Sequence, residues 1–164
     1  MSAGRTEQDP APARSIHASC VAIGDQGVLI RGASGAGKST FALRLILDAP
    51  RVLPLAELVA DDRVLLKVET NGLIARPAPQ LEGLIEVRGL GIRRLPHRPS
   101  VALSCVVDLG ADSPGAAVEA PRMPAPDELE TLLEGHSLRR IRALDPAAGA
   151  LLLAALMASN DYEN

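Results

Sequence analysis

Aromatic side chains are almost absent from this chain: Phe41 and Tyr162 are the only two in 164 residues, and there is no tryptophan. Proteins that bind single-stranded nucleic acids without sequence preference stack the bases on aromatic rings, and such rings are missing here. The formal net charge of −3 also provides no general attraction for a polyanion. We therefore expect no nucleic-acid partner.

Long apolar runs and a cysteine framework are also absent. No stretch approaches the roughly 18 uninterrupted apolar residues of a transmembrane helix, and the N-terminus lacks the basic and apolar regions of a secretory signal. Cys20 and Cys105 are the only cysteines, and neither has metal-ligand spacing with a histidine. These features predict a cytoplasmic protein with reduced thiols and no membrane partner.

The length of 164 residues and the apolar fraction of 47% fit one domain with a sizeable core. We expect this domain at residues 15–159. The small, polar, proline-containing residues 1–14 predict a disordered lead, and residues 160–164 are expected to form a C-terminal tail.

β-prone runs and helical patterns are both present in the folded part, which predicts an α/β protein. Turn signals at residues 24–27 and at Asn71-Gly72 predict two hairpins. A glycine-rich stretch at residues 83–95 is predicted to be a functional loop with a short helical turn. Strands are predicted at residues 17–23, 28–31, 58–60, 64–68, 73–76, 101–109 and 138–143. Helices are predicted at residues 41–48, 127–134 and 146–158, and Asp145-Pro146 opens the last of them. A loop is predicted at residues 110–126.

Residues 32–39 match the phosphate-binding Walker A pattern Gly-x-x-x-x-Gly-Lys-Ser in full, between a β-prone run and a helical pattern. Glycines let successive backbone N–H groups approach phosphate oxygens, and the following helix N-terminus adds partial positive charge. Lys38 can reach the β- and γ-phosphates, and the Ser39 hydroxyl can ligate Mg²⁺. The predicted nucleotide-binding residues are Gly32, Ala33, Ser34, Gly35, Ala36, Gly37, Lys38, Ser39 and Thr40.

Phosphate transfer also needs a carboxylate that organises the metal and a group that activates the nucleophile, and two strand ends offer candidates. One predicted strand ends in Asp61-Asp62, and another ends in Asp108. Two adjacent acids can divide the work, one positioning Mg²⁺ and the other accepting a hydroxyl proton. An ordinary solvated turn at the end of a strand remains the alternative for both.

Three further polar residues have patterns that fit either a site or an ordinary surface. Glu86 lies in an apolar segment closed by two glycines, where it could ligate metal while Arg88 steadies a phosphate. By spacing alone the two could equally be an exposed ion pair. His17, on the first predicted strand, could equally be a half-buried strand histidine.

These pieces, in this order, resemble HPr kinase/phosphorylase, the bacterial enzyme family that phosphorylates a serine of the phosphocarrier protein HPr. The resemblance spans residues 16–157, and its most specific part is the glycine-containing string at the end of the following list. It rests on Ile16-His17-Ala18-Ser19, the loop at 32–40, the strand end at 58–62 and Glu86-Val87-Arg88-Gly89-Leu90-Gly91-Ile92.

The resemblance implies a kinase core with a mixed, mainly β sheet, flanking helices and a P-loop. It implies that Lys38 and the loop bind ATP, that Ser39 and Glu86 hold Mg²⁺, and that the Asp61-Asp62 pair supplies the base, with Asp62 preferred. In the reverse reaction the same carboxylate would protonate the departing serine while inorganic phosphate attacks, which releases pyrophosphate.

Further family features carry over as expectations. His17 would stand near the reacting phosphate beside the aspartate pair, and Arg142 is the likeliest counterpart of a catalytic arginine. Residues 85–94 would belong to a loop needed in both directions. The expected partner is HPr, with a role in regulating the phosphotransferase system and carbon metabolism. The expected assembly is a hexamer, here in a short form without the extra N-terminal domain that many members carry.

Two other functions remain compatible with a Walker A loop. A small-molecule kinase or NTPase would need the loop but not the string that starts at Glu86. A non-catalytic nucleotide-sensing partner would need the loop but neither acid of the Asp61-Asp62 pair. The identity of the product distinguishes the three hypotheses.

Overall fold

The computed structural model describes residues 12–48, 53–110, 124–143 and 146–159. Within these ranges the elements run in the following order: β1 (Arg14–Ile16), β2 (Ser19–Ile23), β3 (Gln26–Gly32), α1 (Lys38–Leu47), β4 (Ala56–Ala60), β5 (Val64–Glu69), β6 (Gly72–Pro77), β7 (Leu84–Val87), β8 (Gly91–Arg94), β9 (Val101–Leu109), β10 (Glu130–Leu133), β11 (His136–Ala143) and α2 (Pro146–Ala158). Short 3-10 turns lie at Pro79–Leu81 and Pro126–Glu128. The predicted α/β fold is confirmed.

The central sheet has the strand order β11-β9-β3-β2-β4. Strands β3, β9 and β11 are parallel, whereas β2 is antiparallel to both β3 and β4. Strand β4 therefore runs in the same direction as β3. The carboxyl ends of β3, β4, β9 and β11 and the amino end of β2 consequently meet at one edge, called the carboxyl edge below.

Both helices cover one face of this sheet. Helix α1 buries Phe41, Ala42 and Leu45, whose spacing places them on one side of the helix. They pack with Leu153 of α2 and with alternate residues of the strands, as expected when successive strand side chains point to opposite faces. The strand residues in this cluster include Val21, Ile23, Val28, Ile30, Val107 and Ile141.

The opposite face is covered by the β5–β6 hairpin, to which β1 adds a third strand. The predicted hairpin is confirmed: Glu69 pairs with Gly72, so the turn residues are Thr70 and Asn71, and Gly72 follows at φ 114°. Strand β6 also pairs with the start of β9 through Ile74 and Ala75. The hairpin layer is therefore continuous with the central sheet through β9, and the sheet bends so that this layer lies against the face away from the helices. This layer contributes Val64, Leu66, Leu73 and Ala75 to a second core with Cys20, Ala22, Leu29 and Val106.

The prediction of a loop with a helical turn at residues 83–95 is wrong. The segment forms a separate hairpin in which β7 and β8 pair antiparallel from Leu84↔Arg94 to Val87↔Gly91. Gly89 and Gly91 adopt positive φ values of 86° and 75°, which allow the tight reversal. Ile85 is only 1% exposed and fixes the hairpin to the helix-side core, and the 3-10 turn lies earlier, at Pro79–Leu81.

The predicted helix at residues 127–134 is also wrong. After one 3-10 turn the chain forms β10, which pairs with β11. Glu134 and Gly135 have φ values of 48° and 78°, the combination that a two-residue hairpin turn requires. Pairing then buries Leu133 and Leu138 in the second core, which a helix at this position would not do.

Several other expectations fall partly outside the described residues. These include residues 1–11 of the predicted lead, the tail at 160–164, most of the loop at 110–126 and the helix-capping Asp145. Strand β1 begins at Arg14, at the last position of the predicted lead. Across the part of the chain that is described, no helix has the length and apolarity needed to cross a membrane.

Candidate active site

A glycine-rich loop at residues 32–37 connects β3 to α1 at the carboxyl edge, as the sequence predicts. Gly35 and Gly37 have φ values of 80° and 93°. A Cβ atom at Gly35 would meet open space, so the backbone conformation, not crowding, favours glycine there. Gly37 caps α1, whose first backbone hydrogen bond runs from Phe41 N to Gly37 O. The N–H groups of the first turn therefore lack partners within the helix.

Lys38, the first residue of α1, folds back over this loop. Its ammonium donates hydrogen bonds of 2.9 Å to the carbonyl oxygens of Gly32 and Ala33, and the residue is only 6% exposed. Burial lowers the pKa of Lys38 below its ordinary value, and the nearby carboxylates of Asp61 and Asp62 offset part of that shift. The structure therefore brings the predicted lysine and both predicted acids into one electrostatic environment.

Asp61 follows β4 and is the hydrogen-bonded centre of the site. It is 4% exposed, and the Ser39 hydroxyl lies 2.9 Å from each of its carboxylate oxygens. The Glu86 backbone N–H donates to Oδ2 at 3.1 Å, and the Ser19 hydroxyl donates to Oδ1 at 2.5 Å. One carboxylate thus connects the start of α1, β2 and the β7–β8 hairpin.

Asp62 has a different environment from its neighbour. Its φ is 65°, and Arg63 N donates to Asp61 O at 2.8 Å, which defines a three-residue γ-turn around Asp62. A non-glycine residue in such a turn is strained, and strain of this kind clusters at functional sites. The Asp62 side chain is 67% exposed, with His17 Nδ1 3.2 Å from its carboxylate and 3.0 Å from its carbonyl oxygen.

Two of the predicted site residues, Glu86 and Arg142, are placed differently relative to Asp61. Glu86 is joined to Asp61 through its backbone N–H, while its side chain is exposed. Arg142 lies at the carboxyl edge on β11, with β9, β3 and β2 between its strand and β4. Its guanidinium donates to Glu128 at 2.9 Å. The structure therefore groups His17, Lys38, Ser39, Asp61, Asp62 and the Glu86 backbone, and sets Arg142 apart from them.

The other candidate acid, Asp108, belongs to an ion cluster on the face away from the helices. Arg31 donates to its two oxygens at 2.7 and 2.9 Å, and Arg140 donates at 2.6 Å. Burial alone would raise the pKa of this carboxyl group, but the hydrogen bonds from the two guanidinium groups hold the pKa below its ordinary value. Both strand ends lie near the loop, but Asp61 is hydrogen-bonded to Ser39, whereas Asp108 is held by the two arginines.

Ser19 was not predicted as a site residue. The one sequence signal for Ser19 is its place in the string that follows His17. Its contact with Asp61 spans 42 residues, so no local pattern predicts it. Within the described ranges, no group of three or more His, Cys, Asp or Glu side chains is arranged to hold a metal ion. The site instead offers hydroxyl and carboxylate oxygens around one loop, the donor types that suit a Mg²⁺ ion bound together with phosphate.

Comparison with known proteins identifies one family. The family model for the HPr serine kinase C-terminal domain matches residues 8–97. An HPr kinase/phosphorylase of Geobacillus sp. (strain WCH70) is 44% identical over 87 residues, covering 52% of this chain and 26% of the relative. That of Geobacillus thermodenitrificans (strain NG80-2) is 39% identical over 114 residues, covering 63% and 34%. The chain thus spans about a quarter to a third of these relatives.

A solved structure has a similar fold. The HPr(Ser) kinase/phosphatase from Coxiella burnetii superposes with a TM-score of 0.67 at 24% sequence identity, and the match covers 88% of each chain. The chain therefore shares the fold of that solved structure over most of its length.

Proposed function

Because this chain belongs to the family of the HPr serine kinase C-terminal domain, we propose that it is an ATP-dependent protein-serine kinase that phosphorylates HPr. It thereby acts in the regulation of the phosphotransferase system and of carbon metabolism. The observation that carries this function is the hydrogen-bonded path from Ser39 through Asp61 to the Glu86 backbone. That path joins the phosphate-binding loop to the segment in which the family resemblance is most specific.

The glycine-rich loop binds the phosphates of ATP. Its backbone N–H groups and the N-terminus of α1 supply hydrogen-bond donors and partial positive charge. The Lys38 ammonium, which is held over the start of the loop, can exchange its two carbonyl partners for phosphate oxygens. Charged acceptors make stronger hydrogen bonds than neutral carbonyls, so this exchange favours binding.

The donor set fits Mg²⁺. Mg²⁺ prefers oxygen ligands and takes only one or two from protein carboxylates when phosphates supply others. Ser39 and the Glu86 side chain would hold the ion, which neutralises phosphate charge when bound. Asp61 accepts the Ser39 proton, which leaves the lone pairs of that hydroxyl available.

Asp61 and Asp62 have different contacts, and these contacts support different roles for the two acids. Asp61 is buried, and both its oxygens already accept hydrogen bonds, so it is poorly placed to meet a protein hydroxyl. Asp62 is exposed and carries His17 at its side. We therefore assign Asp62 as the base that accepts the proton of the HPr serine, with His17 orienting its carboxylate. Run backwards, Asp62 returns that proton to the serine as inorganic phosphate removes the phosphoryl group.

Arg142 is retained as the proposed catalytic arginine on the family resemblance. Its strand ends at the carboxyl edge, which supports this role, but its guanidinium would have to leave Glu128 to reach the loop.

The assembly and location follow the family as well. We propose a hexamer, which the outer face of α2 supports: Leu151 and Leu152 are 72% and 46% exposed, and apolar surface of this kind favours association. A monomer mass in sedimentation would contradict the hexamer. The proposed substrate and the two free cysteines favour a cytoplasmic location.

The deciding experiment is transfer of labelled phosphate from ATP and Mg²⁺ to purified HPr, compared with an HPr variant whose acceptor serine is replaced by alanine. Label on wild-type HPr alone is the expected result, and added inorganic phosphate then tests the reverse reaction. Label on a small molecule, or release of free phosphate alone, would instead favour a small-molecule kinase or an NTPase. Nucleotide binding without turnover would favour a sensing role.

A further inference from the structure

Ser19 is a wholly buried polar residue that the proposed mechanism does not yet use. It begins β2, is 0% exposed, and pairs in the ladder with Ile30 of β3. The next residue, Cys20, pairs with Ala60 of β4. Strands on both sides therefore fix the backbone of Ser19, and its side chain has little freedom to choose another partner.

The Ser19 hydroxyl donates to Asp61 Oδ1 at 2.5 Å. The Glu86 N–H donates to Oδ2 at 3.1 Å, so one donor is assigned to each carboxylate oxygen from a fixed backbone position. These two donors orient the plane of the Asp61 carboxylate. The third partner, the Ser39 hydroxyl, is 2.9 Å from both oxygens and faces a carboxylate that is already held.

The orientation of Asp61 decides where the Ser39 proton points. A serine oxygen that ligates a cation uses a lone pair, so its proton must be taken by an acceptor on the other side. Groups that orient a metal ligand from outside its coordination shell strongly affect metal affinity. Ser19 acts one step further out, on the acceptor that receives the proton of the ligand.

We propose that Ser19 is a positioning residue for the magnesium-dependent binding of nucleotide: it holds the Asp61 carboxylate so that this carboxylate accepts the Ser39 proton and frees the Ser39 oxygen for the cation. This role rests on the proposed function, since it assumes a nucleotide–Mg²⁺ complex at the loop. The Ser19 hydroxyl thereby has a specific role that no sequence motif predicts.

A purely structural role for Ser19 makes a different prediction. If the hydroxyl only satisfied a buried carboxylate, its removal would lower the stability of the fold, and nucleotide affinity would change equally with and without Mg²⁺. The positioning role instead predicts that the effect depends on Mg²⁺. The readout is therefore the affinity for ADP, measured by isothermal titration calorimetry with Mg²⁺ and with a chelator.

The variants are Ser19→Ala, Ser19→Cys and the control Ser104→Ala. Cysteine preserves the volume but is a weak donor, so it separates the hydrogen bond from packing if the alanine variant does not fold. Ser104 is a half-buried serine in the same sheet, and its hydroxyl donates to Gly27 O at 3.3 Å, away from the carboxyl edge. Thermal unfolding of each variant reports any structural effect separately.

For Ser19→Ala and Ser19→Cys we expect the affinity for ADP with Mg²⁺ to fall about 5-fold or more, since substitutions outside a metal's ligands commonly cost about 10- to 100-fold in metal affinity. Affinity in chelator should change less than about 2-fold, as should both affinities in Ser104→Ala. Equal losses with and without Mg²⁺, or no loss in a folded variant, would overturn the positioning role.

The same preparations separate this role from the proposed function. If wild-type protein binds ADP in a magnesium-dependent manner and Ser19→Ala lowers that dependence, the positioning role stands even when no label reaches HPr. If label reaches HPr while the variants bind ADP as the wild type does, the protein kinase stands and the positioning role fails. Binding by the wild type that does not depend on Mg²⁺ would overturn the positioning role as well.

Discussion

Substitution of Asp108 tests the ion cluster that ties three parallel strands together beside the glycine-rich loop. Asp108 is 8% exposed, and it accepts two hydrogen bonds from Arg31 and one from Arg140. Arg31 immediately precedes Gly32, the first residue of the loop. In Asp108→Asn the shape of the side chain is kept, but the negative charge is lost and an N–H group can face a guanidinium donor.

The magnitude follows from the burial of the three partners. Breaking a buried ion pair costs about 3–5 kcal/mol, and one hydrogen bond to a charged group contributes about 1.5–3 kcal/mol. The Arg31 and Arg140 side chains are 29% and 21% exposed, so water partly solvates them after the change. We therefore expect a loss of about 2–3 kcal/mol in the free energy of unfolding. For a chain of this size that corresponds to about 5–10 °C in Tm.

The pH dependence gives a second, independent signature of the same cluster. The pKa of Asp108 is held below its ordinary value by the two arginines. Its contribution to stability is therefore complete above the ordinary aspartate pKa and is lost as the pH falls through the lowered pKa. The difference in unfolding free energy between wild type and Asp108→Asn should shrink as the pH falls in this acidic range.

Urea unfolding followed by circular dichroism at several pH values measures both effects. The control is Glu69→Gln, which removes a surface ion pair with Arg76 at 3.0 Å and should cost less than about 1 kcal/mol. If Asp108→Asn cost no more than this control near pH 7, or if its deficit did not change in acid, the reasoning about the cluster would be refuted.

Three other changes test the core and the loop. Gly149→Ala should lower Tm although alanine favours helices, because the new Cβ would lie 2.9 Å from both Phe41 and Ala143; a higher Tm in calorimetry would contradict this packing. Burial raises the pKa of both thiols, that of Cys105 to about 12, so neither cysteine should react with a thiol reagent at pH 8 until the chain is unfolded; rapid labelling of the native protein would oppose the buried assignment. Lys38→Ala should weaken ATP binding about 10-fold or more through lost charge-assisted hydrogen bonds, and unchanged binding would exclude the loop as the phosphate site.

The parts of the fold that sequence predicts well are those where a local rule allows one answer. The loop at residues 32–37 needs positive φ values that glycine provides, and its pattern of glycine, lysine and serine has a single common chemical use. The β5–β6 turn is similar, since Asn71-Gly72 specifies a tight hairpin. The backbone conformation of the loop and the hairpin are confirmed, because the cause of each lies within a few residues, whereas the chemical use of the loop stays a prediction.

The predictions that fail, or that could not be made, depend on contacts distant in sequence. The β7–β8 segment is largely exposed and glycine-rich, and it is held against the core by buried Ile85 and partly buried Val87. Strand β10 exists because β11 pairs with it, which outweighs local helical preference. The different roles proposed for Asp61 and Asp62 depend on the hydrogen bonds that Ser19 and Ser39 make with Asp61. These contacts form only in the folded sheet.

The most direct test of the account compares Asp62→Asn and wild-type protein in phosphate transfer from ATP to HPr, with ADP affinity measured on the same samples. Loss of a general base lowers turnover by about 10²- to 10⁴-fold, while the loop, Lys38 and Asp61 remain in place to bind nucleotide. We therefore predict a fall of that size in kcat with ADP affinity within about 2-fold of wild type. Transfer at the wild-type rate, or an equal loss of binding and turnover, would contradict the assignment of Asp62 as the base.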